Sequence, residues 1–151
     1  MNPALLRRCL AGRPEDKSEK PRLILVDSSV WIDFLSASPS AAGRELRRVI
    51  TEAEPFALTG VVITEVLQGL RRDASRIERY LSQWDLLEPI GFGTYREAAD
   101  IFRSARSKRV AVTTVDALIA AIAVEHGPAL LTLDKEFTRI ANIVSLSLYT
   151  F

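Results

Sequence analysis

Four acidic residues in separate segments are candidates for a shared metal-binding site. Asp27 and Asp134 each end a short aliphatic run, whereas Glu65 and Asp116 lie inside strongly apolar segments. Carboxylates buried together repel one another unless a cation joins them. Because oxygen ligands suit hard divalent ions, this pattern indicates a site for Mg²⁺, or for Mn²⁺.

Each acid also has a purely structural explanation. Asp27 and Asp134 could cap the helices predicted to follow them, since Asp is a preferred N-cap residue. Asp116 could complement the positive end of its own helix, and Glu65 could be a solvated helix residue. Taken singly these roles are the commoner ones. The apolar surroundings of Glu65 and Asp116 favour a shared site.

The elements that must position these acids alternate between short aliphatic runs and longer helical patterns. The predicted strands are 23–27, 56–60, 85–90, 129–134 and 144–149. The predicted helices are 28–35, 39–53, 61–72, 75–84, 94–109, 113–127 and 135–141. This alternation predicts an α/β fold, a three-layer α/β/α sandwich with a central, mainly parallel sheet. Ligands of such sheets bind beyond the carboxyl ends of the strands, where Asp27 and Asp134 are expected.

Length and composition favour one soluble domain. The chain has 151 residues, of which 48% are hydrophobic and 26% charged, as is ordinary for a globular protein. No apolar run approaches the roughly 20 residues that a membrane helix needs. The single cysteine, Cys9, excludes an intramolecular disulfide, so a cytoplasmic protein is expected. Residues 1–22 lack sustained periodicity and are predicted to be a flexible tail before a domain at 23–151.

The segments around the four acids resemble the acidic motifs of PIN-domain ribonucleases, in particular the VapC-type toxins of bacterial toxin–antitoxin pairs. The motifs are LILVDSSVWIDFL, ITEVLQGL, TTVDALIAAIAVEHG and LLTLDKEF, and the resemblance runs from about Leu23 to the C-terminus. It implies a PIN-like fold whose catalytic and metal-binding acids are Asp27, Glu65, Asp116 and Asp134. Ser28, beside the first acid, would be a polar neighbour of the metal or its water. The chain lacks the glycine that often precedes the third acid of the family.

The resemblance implies a Mg²⁺-dependent endoribonuclease that forms a homodimer and is inhibited by a cognate, VapB-like antitoxin. A metal held by carboxylates can activate water and neutralise phosphoryl oxygens without help from histidine. The only histidine, His126, precedes Gly127 at a predicted helix end and is expected to be a capping or surface residue. The alternative is a catalytically inactive PIN-like binding or regulatory module, although the presence of all four acids favours the enzyme.

Contacts with RNA must come from local clusters of lysine and arginine residues. Residues 1–22 hold six lysines and arginines against three acids, but residues 23–151 hold 14 basic and 16 acidic residues. The domain therefore lacks the overall positive charge typical of nucleic-acid binders. The candidate phosphate contacts are Arg71, Arg72, Arg103, Arg106, Lys108 and Arg109. A solvated helix face, or a cation at a helix C-terminus, explains these bases equally well.

Overall fold

A computed structural model of the chain describes residues 22–151. The predicted tail, apart from Arg22, lies outside the described residues. The strands are β1 (Ile24–Val26), β2 (Phe56–Leu58), β3 (Asp85–Leu86), β4 (Ala129–Leu131) and β5 (Ser147–Leu148). The helices are α1 (Ser28–Phe34), α2 (Ala41–Thr51), α3 (Gly60–Gln68), α4 (Ala74–Leu81), α5 (Phe92–Ser107), α6 (Thr114–His126) and α7 (Glu136–Ile140).

The five strands form one parallel sheet in the order β3-β2-β1-β4-β5. Leu25 of β1 is in register with Ala57 on one side and Leu130 on the other. The chain proceeds outward from β1 to β3 and then returns to add β4 on the opposite side of β1. The strand order therefore reverses between β1 and β4, which is the place where open parallel sheets bind ligands.

Burial of the central strands explains why the sheet needs helices on both faces. Ile24, Leu25 and Val26 are each at most 1% exposed, although successive strand residues point to opposite faces. The strands β2 and β4 are buried along their whole length in the same way. The predicted three-layer α/β/α architecture is thus confirmed. Among residues 22–151, the helices are all too short or too polar to span a bilayer.

The predicted elements are all present, but some ends differ. The helix predicted to open at Pro39 begins at Ala41, because Ser40 is its N-cap and its hydroxyl accepts from the Ala42 amide (3.3 Å). The last strand was predicted over 144–149 and has only two residues. Its start is delayed because the Val144 amide still donates to the carbonyl of Ile140 (3.0 Å), in the turn that ends α7.

Candidate active site

Asp27 lies directly after β1, at the N-cap position of α1. Its carbonyl accepts from the amides of Val30 (3.1 Å) and Trp31 (3.2 Å), whereas its carboxylate makes no capping bond. The alternative explanation, in which the Asp27 side chain caps α1, is therefore excluded. Ser28 and Ser29 do not cap the helix either, because the N-cap residue is Asp27 itself. Only 4% of Asp27 is exposed, so its carboxylate needs other partners.

Two hydroxyls supply those partners. Ser29 Oγ donates to Asp27 Oδ2 (2.6 Å), and Thr132 Oγ1 donates to the same oxygen (2.8 Å). We call Ser29 and Thr132 the hydroxyl pair. Each hydroxyl also accepts from the loop after β4: Ser29 from the Leu133 amide (3.0 Å) and Thr132 from the Asp134 amide (3.0 Å). The pair therefore binds the ends of β1 and β4 together at the point where the strand order reverses.

The sequence-based prediction did not include the hydroxyl pair. It singled out Ser28, the residue next to Asp27, as the supporting polar side chain. A signal was present, since each hydroxyl residue lies two positions from a predicted site acid, Ser29 after Asp27 and Thr132 before Asp134. The spacing did not indicate that both hydroxyls bind one oxygen, because that contact depends on the pairing of β1 with β4.

Glu65 lies in the second turn of α3, whose first turn is capped by the hydroxyl of Thr59. Burial raises the pKa of the Glu65 carboxyl, and the negative charges of Asp27 and Asp116 raise this pKa further. The Ser28 hydroxyl acts in the opposite direction, because a hydrogen-bond donor favours the charged carboxylate. Glu65 is thus within electrostatic range of Asp27 and Asp116, so acids from three separate elements act on one another near the end of β1.

Asp116 is the third residue of α6 and forms a capping box with Thr113. The Asp116 amide donates to Thr113 Oγ1 (3.1 Å), and Asp116 Oδ2 accepts from the Thr113 amide (2.9 Å) and hydroxyl (2.6 Å). This arrangement fixes the start of the helix. The structural role considered for Asp116 at the start of its helix is therefore observed, and the charge of Asp116 also acts on Glu65.

Asp134 also has a structural role. Its Oδ1 accepts from the Glu136 amide (2.8 Å) in the first turn of α7. Asp134 is not among the charges that raise the pKa of Glu65. It reaches Asp27 through Thr132, to which its own amide donates. The fourth acid thus lies at the same edge of the sheet but contacts the first acid through a hydroxyl.

The site fits a hard divalent cation in its chemistry, because its donors are oxygens of carboxylates and hydroxyls. The side-chain arrangement is less complete: within residues 22–151, no three His, Cys, Asp or Glu side chains are arranged so that they could hold a metal ion together. The capping contact turns Asp116 Oδ2 toward Thr113. Asp116 Oδ1, which has no donor from residues 22–151, is therefore the oxygen left for a shared ion.

Four bases at the end of α5 form a surface that we call the basic rim: Arg103, Arg106, Lys108 and Arg109. At the other end of α5, Thr94 donates to the carboxylate of Glu125 near the end of α6 (2.7 Å), so the two helices run antiparallel. The end of α5 therefore lies beside the start of α6, where Asp116 is located. All four bases of the rim are exposed, as are Arg71 and Arg72 after α3.

Comparison with known proteins gives a match between residues 24–143 and the model of the PIN domain family. This chain belongs to the PIN-domain family. It is 33% identical over 133 residues to VapC ribonuclease Mb1587 of Mycobacterium bovis and to ribonuclease VapC11 of Mycobacterium tuberculosis, which covers 85% of this chain and 99% of each relative. The predicted relation to VapC-type PIN domains is thereby confirmed.

Solved structures agree with this PIN fold. The complex VapBC2 from Rickettsia felis, bound to a DNA fragment from its promoter, matches with a TM-score of 0.67 at 18% identity, over 85% of this chain and 98% of that one. FitAcB from Neisseria gonorrhoeae matches with a TM-score of 0.62 at 18% identity, over 84% and 96% of the two chains. At this level of identity the matches concern the fold, and they confirm the predicted PIN-like architecture.

Proposed function

We propose that this PIN domain is a Mg²⁺-dependent endoribonuclease and the toxin of a VapBC-type toxin–antitoxin pair. The observation that carries the proposal is the buried carboxylate of Asp27 at the reversal of strand order, with one oxygen held by two hydroxyls and with Glu65 within electrostatic range. Burial first, and then the charges of Asp27 and Asp116, raise the pKa of Glu65, and a bound cation would favour the charged form of this carboxyl. The names of the VapC relatives support RNA as the substrate.

The roles of the acids follow from their contacts. A bound Mg²⁺ or Mn²⁺ would lower the pKa of a bound water, so that hydroxide is available to attack near neutral pH, and would supply positive charge for the phosphoryl oxygens. Asp27, Glu65 and Asp116 hold the ion in this proposal. The hydroxyl pair keeps Asp27 Oδ2 occupied and leaves Oδ1 without a donor from residues 22–151. Asp134 supports the site through Thr132, to which its amide donates. The Ser28 hydroxyl favours the charged form of Glu65.

Substrate binding is assigned to the exposed bases. The basic rim lies beside the start of α6, so its side chains can reach phosphates of a strand whose scissile bond is at Asp27. Such contacts bind RNA without reading its sequence. Arg71 and Arg72 follow the helix that carries Glu65 and are proposed as further phosphate contacts.

The direct test is incubation of the purified protein with total RNA and Mg²⁺, alongside the variants Asp27→Asn and Asp116→Asn. We expect cleavage by the wild-type protein and a loss of at least about 100-fold in each variant, because each removes charge from the metal site. Glu88→Gln is the matched control and should cleave normally, because Glu88 is exposed and its carbonyl contacts His126, at the end of α6 away from Asp116. Undiminished cleavage by both site variants would contradict the catalytic assignment.

The partners follow from the same proposal. Solved PIN structures that resemble this chain include VapBC toxin–antitoxin assemblies, and we propose a VapB-like antitoxin, a homodimer and a cytoplasmic location. Co-expression with a small reading frame adjacent to the gene should yield a complex that no longer cleaves RNA. A stable protein without cleavage under any divalent ion would instead favour the binding or regulatory module.

A further inference from the structure

Two helices of this domain end in the same unusual way. After α2, Ala53 has a φ of 53°, with hydrogen bonds from its own amide to the Ile50 carbonyl (3.2 Å) and from the Glu54 amide to the Val49 carbonyl (3.0 Å). After α5, Arg109 has a φ of 57°, and Arg109 and Val110 repeat the two bonds at 3.1 and 2.9 Å. Both ends are left-handed caps of the Schellman type.

Glycine is the residue that such a cap favours, because a β-carbon crowds the backbone in the left-handed conformation. The chain does use glycine at the end of α6, where Gly127 has a φ of 79°. At position 109 the left-handed backbone would therefore be more stable with glycine than with arginine. A cation at a helix C-terminus is favourable, but Arg106 already supplies a base in the last turn of α5.

The two non-glycine caps lie at opposite edges of the sheet. Ala53 comes just before β2, near the amino ends of the strands, where the Ile24 amide bonds to the carbonyl of Pro55 (3.0 Å). Arg109 lies four positions before Thr113, the capping partner of Asp116, and hence at the edge that holds the acids. Only the cap near the acids carries a charge.

The charge of Arg109 is also not used within the described domain. Arg103 of the basic rim is paired with Asp100. Within residues 22–151, Arg109 makes neither an ion pair nor a side-chain hydrogen bond with another residue, and it is exposed to solvent. A guanidinium held on a short, ordered turn beside a nuclease site is suited to bind a phosphate through two parallel hydrogen bonds.

We propose that Arg109 binds a backbone phosphate of the RNA strand that enters the site, and that the left-handed cap places it there. The inference rests on the proposed nuclease function and singles out one residue of the basic rim. It predicts that replacement of Arg109 by glycine, the residue that the left-handed cap favours, weakens RNA binding without lowering the stability of the domain.

The test compares Arg109→Gly with Ala53→Gly, the same cap change away from the site. The binding of a fluorescein-labelled oligouridylate is measured by anisotropy at several salt concentrations without divalent ions, and Tm is measured for each variant. Ala53→Gly should leave RNA affinity unchanged. Arg109→Gly should bind several-fold more weakly, with a salt dependence of log K shallower by about 0.7, while its Tm does not fall. Arg109→Lys should retain the slope of the wild-type protein.

Wild-type affinity and slope in Arg109→Gly would overturn the proposal, as would weaker binding that accompanies a lower Tm. Unchanged RNA binding together with weaker antitoxin binding would assign Arg109 to a protein contact and also overturn it. The nuclease proposal fails separately: if the wild-type protein binds the oligouridylate with the predicted slope but cuts no RNA, the phosphate contact stands. If the wild-type protein does not bind it, the phosphate contact is contradicted, and cleavage of total RNA with Mg²⁺ decides the nuclease proposal separately.

Discussion

At the scale of single residues, the hydroxyl pair explains how this PIN domain can bury its first acid. A carboxylate taken out of water is costly unless donors replace the water. Ser29 and Thr132 both donate to Oδ2 of Asp27, so one oxygen is satisfied by the protein. The other oxygen stays available for a ligand. The hydroxyl pair therefore offsets the cost of burying the Asp27 carboxylate and also fixes the orientation of that carboxylate.

Thr132→Val should separate these effects from simple packing, because valine keeps the shape of threonine and removes its hydroxyl. We expect RNA cleavage and Mn²⁺ affinity to fall by about 10- to 100-fold, as is typical when a group that orients a metal ligand is lost. The free energy of unfolding should fall by about 1–3 kcal/mol, since a buried carboxylate loses a donor. Cleavage assays, metal titration and urea denaturation measure the three quantities.

Thr138→Val on the exposed side of α7 is the control and should change none of these quantities. Thr132→Ser should restore most of the cleavage, because serine retains the hydroxyl. If Thr132→Val cleaved RNA at the wild-type rate, the orienting role of the hydroxyl pair would be wrong.

At the scale of elements, the turn between α1 and α2 depends on one glycine. Asp33 accepts from the amides of Ser40 (3.0 Å) and Gly43 (2.8 Å) and from the Ser40 hydroxyl (2.8 Å). A β-carbon on Gly43 would lie 2.5 Å from Asp33 Oδ2 and 2.9 Å from the β-carbon of Pro39. The close approach of α2 to the end of α1 therefore requires glycine at this position.

Gly43→Ala should lower the free energy of unfolding by about 1–3 kcal/mol, as overpacking usually does. Gly60→Ala is the matched control, because a β-carbon there meets no atom within 4 Å and alanine favours the helix. Thermal or urea denaturation of the two variants measures the difference. Equal stability of Gly43→Ala and the wild-type protein would show that the turn can relax around the new methyl group.

At the scale of the whole molecule, hydrogen bonds join Tyr149, which follows β5, to α2. The Tyr149 hydroxyl donates to Glu45 (2.7 Å) and accepts from Arg48 (3.1 Å), which also binds Glu54 (2.6 Å) and Glu52. Hydrogen bonding by Arg48 and by Tyr149, against the effect of burial, lowers the pKa of Glu45. This cluster joins residues about a hundred positions apart and closes the β5 edge of the sheet.

The lowered pKa of Glu45 makes the domain sensitive to acid. A carboxyl whose pKa is lower in the folded protein stabilises the fold above its unfolded pKa, near 4, and loses that contribution as the pH falls through the folded pKa. The pKa of Asp33 is lowered too, first by the hydrogen bond from the Ser40 amide. We expect Tm to fall as the pH drops below about 4.

Glu45→Gln should make that decline less steep while leaving the Asp33 contribution in place. Scanning calorimetry between neutral and acidic pH measures both curves. Exposed Glu78 of α4 has no ion pair in the described residues, so Glu78→Gln serves as the control and should follow the wild-type curve. Parallel curves for wild type and Glu45→Gln would contradict the role of the Tyr149 cluster.

The sequence alone determined the order of elements and the parallel sheet. Runs such as ILV (24–26) and ALL (129–131) are buried on both sides, and this continuous apolar character is visible without coordinates. It also placed Asp27 and Asp134 at the carboxyl ends of strands, and motifs around the acids indicated the PIN family. These signals are local, because each depends on a few neighbouring residues.

The tertiary structure decided which side chains share the site. Ser29 and Thr132 are 103 positions apart, and they meet at Asp27 only because β4 pairs with β1 rather than with β3. Asp134 contacts Asp27 through Thr132, whereas Glu65 is affected directly by Asp27 and Asp116. Strand order and side-chain direction set these relations, and neither property is encoded in the spacing of residues along the chain.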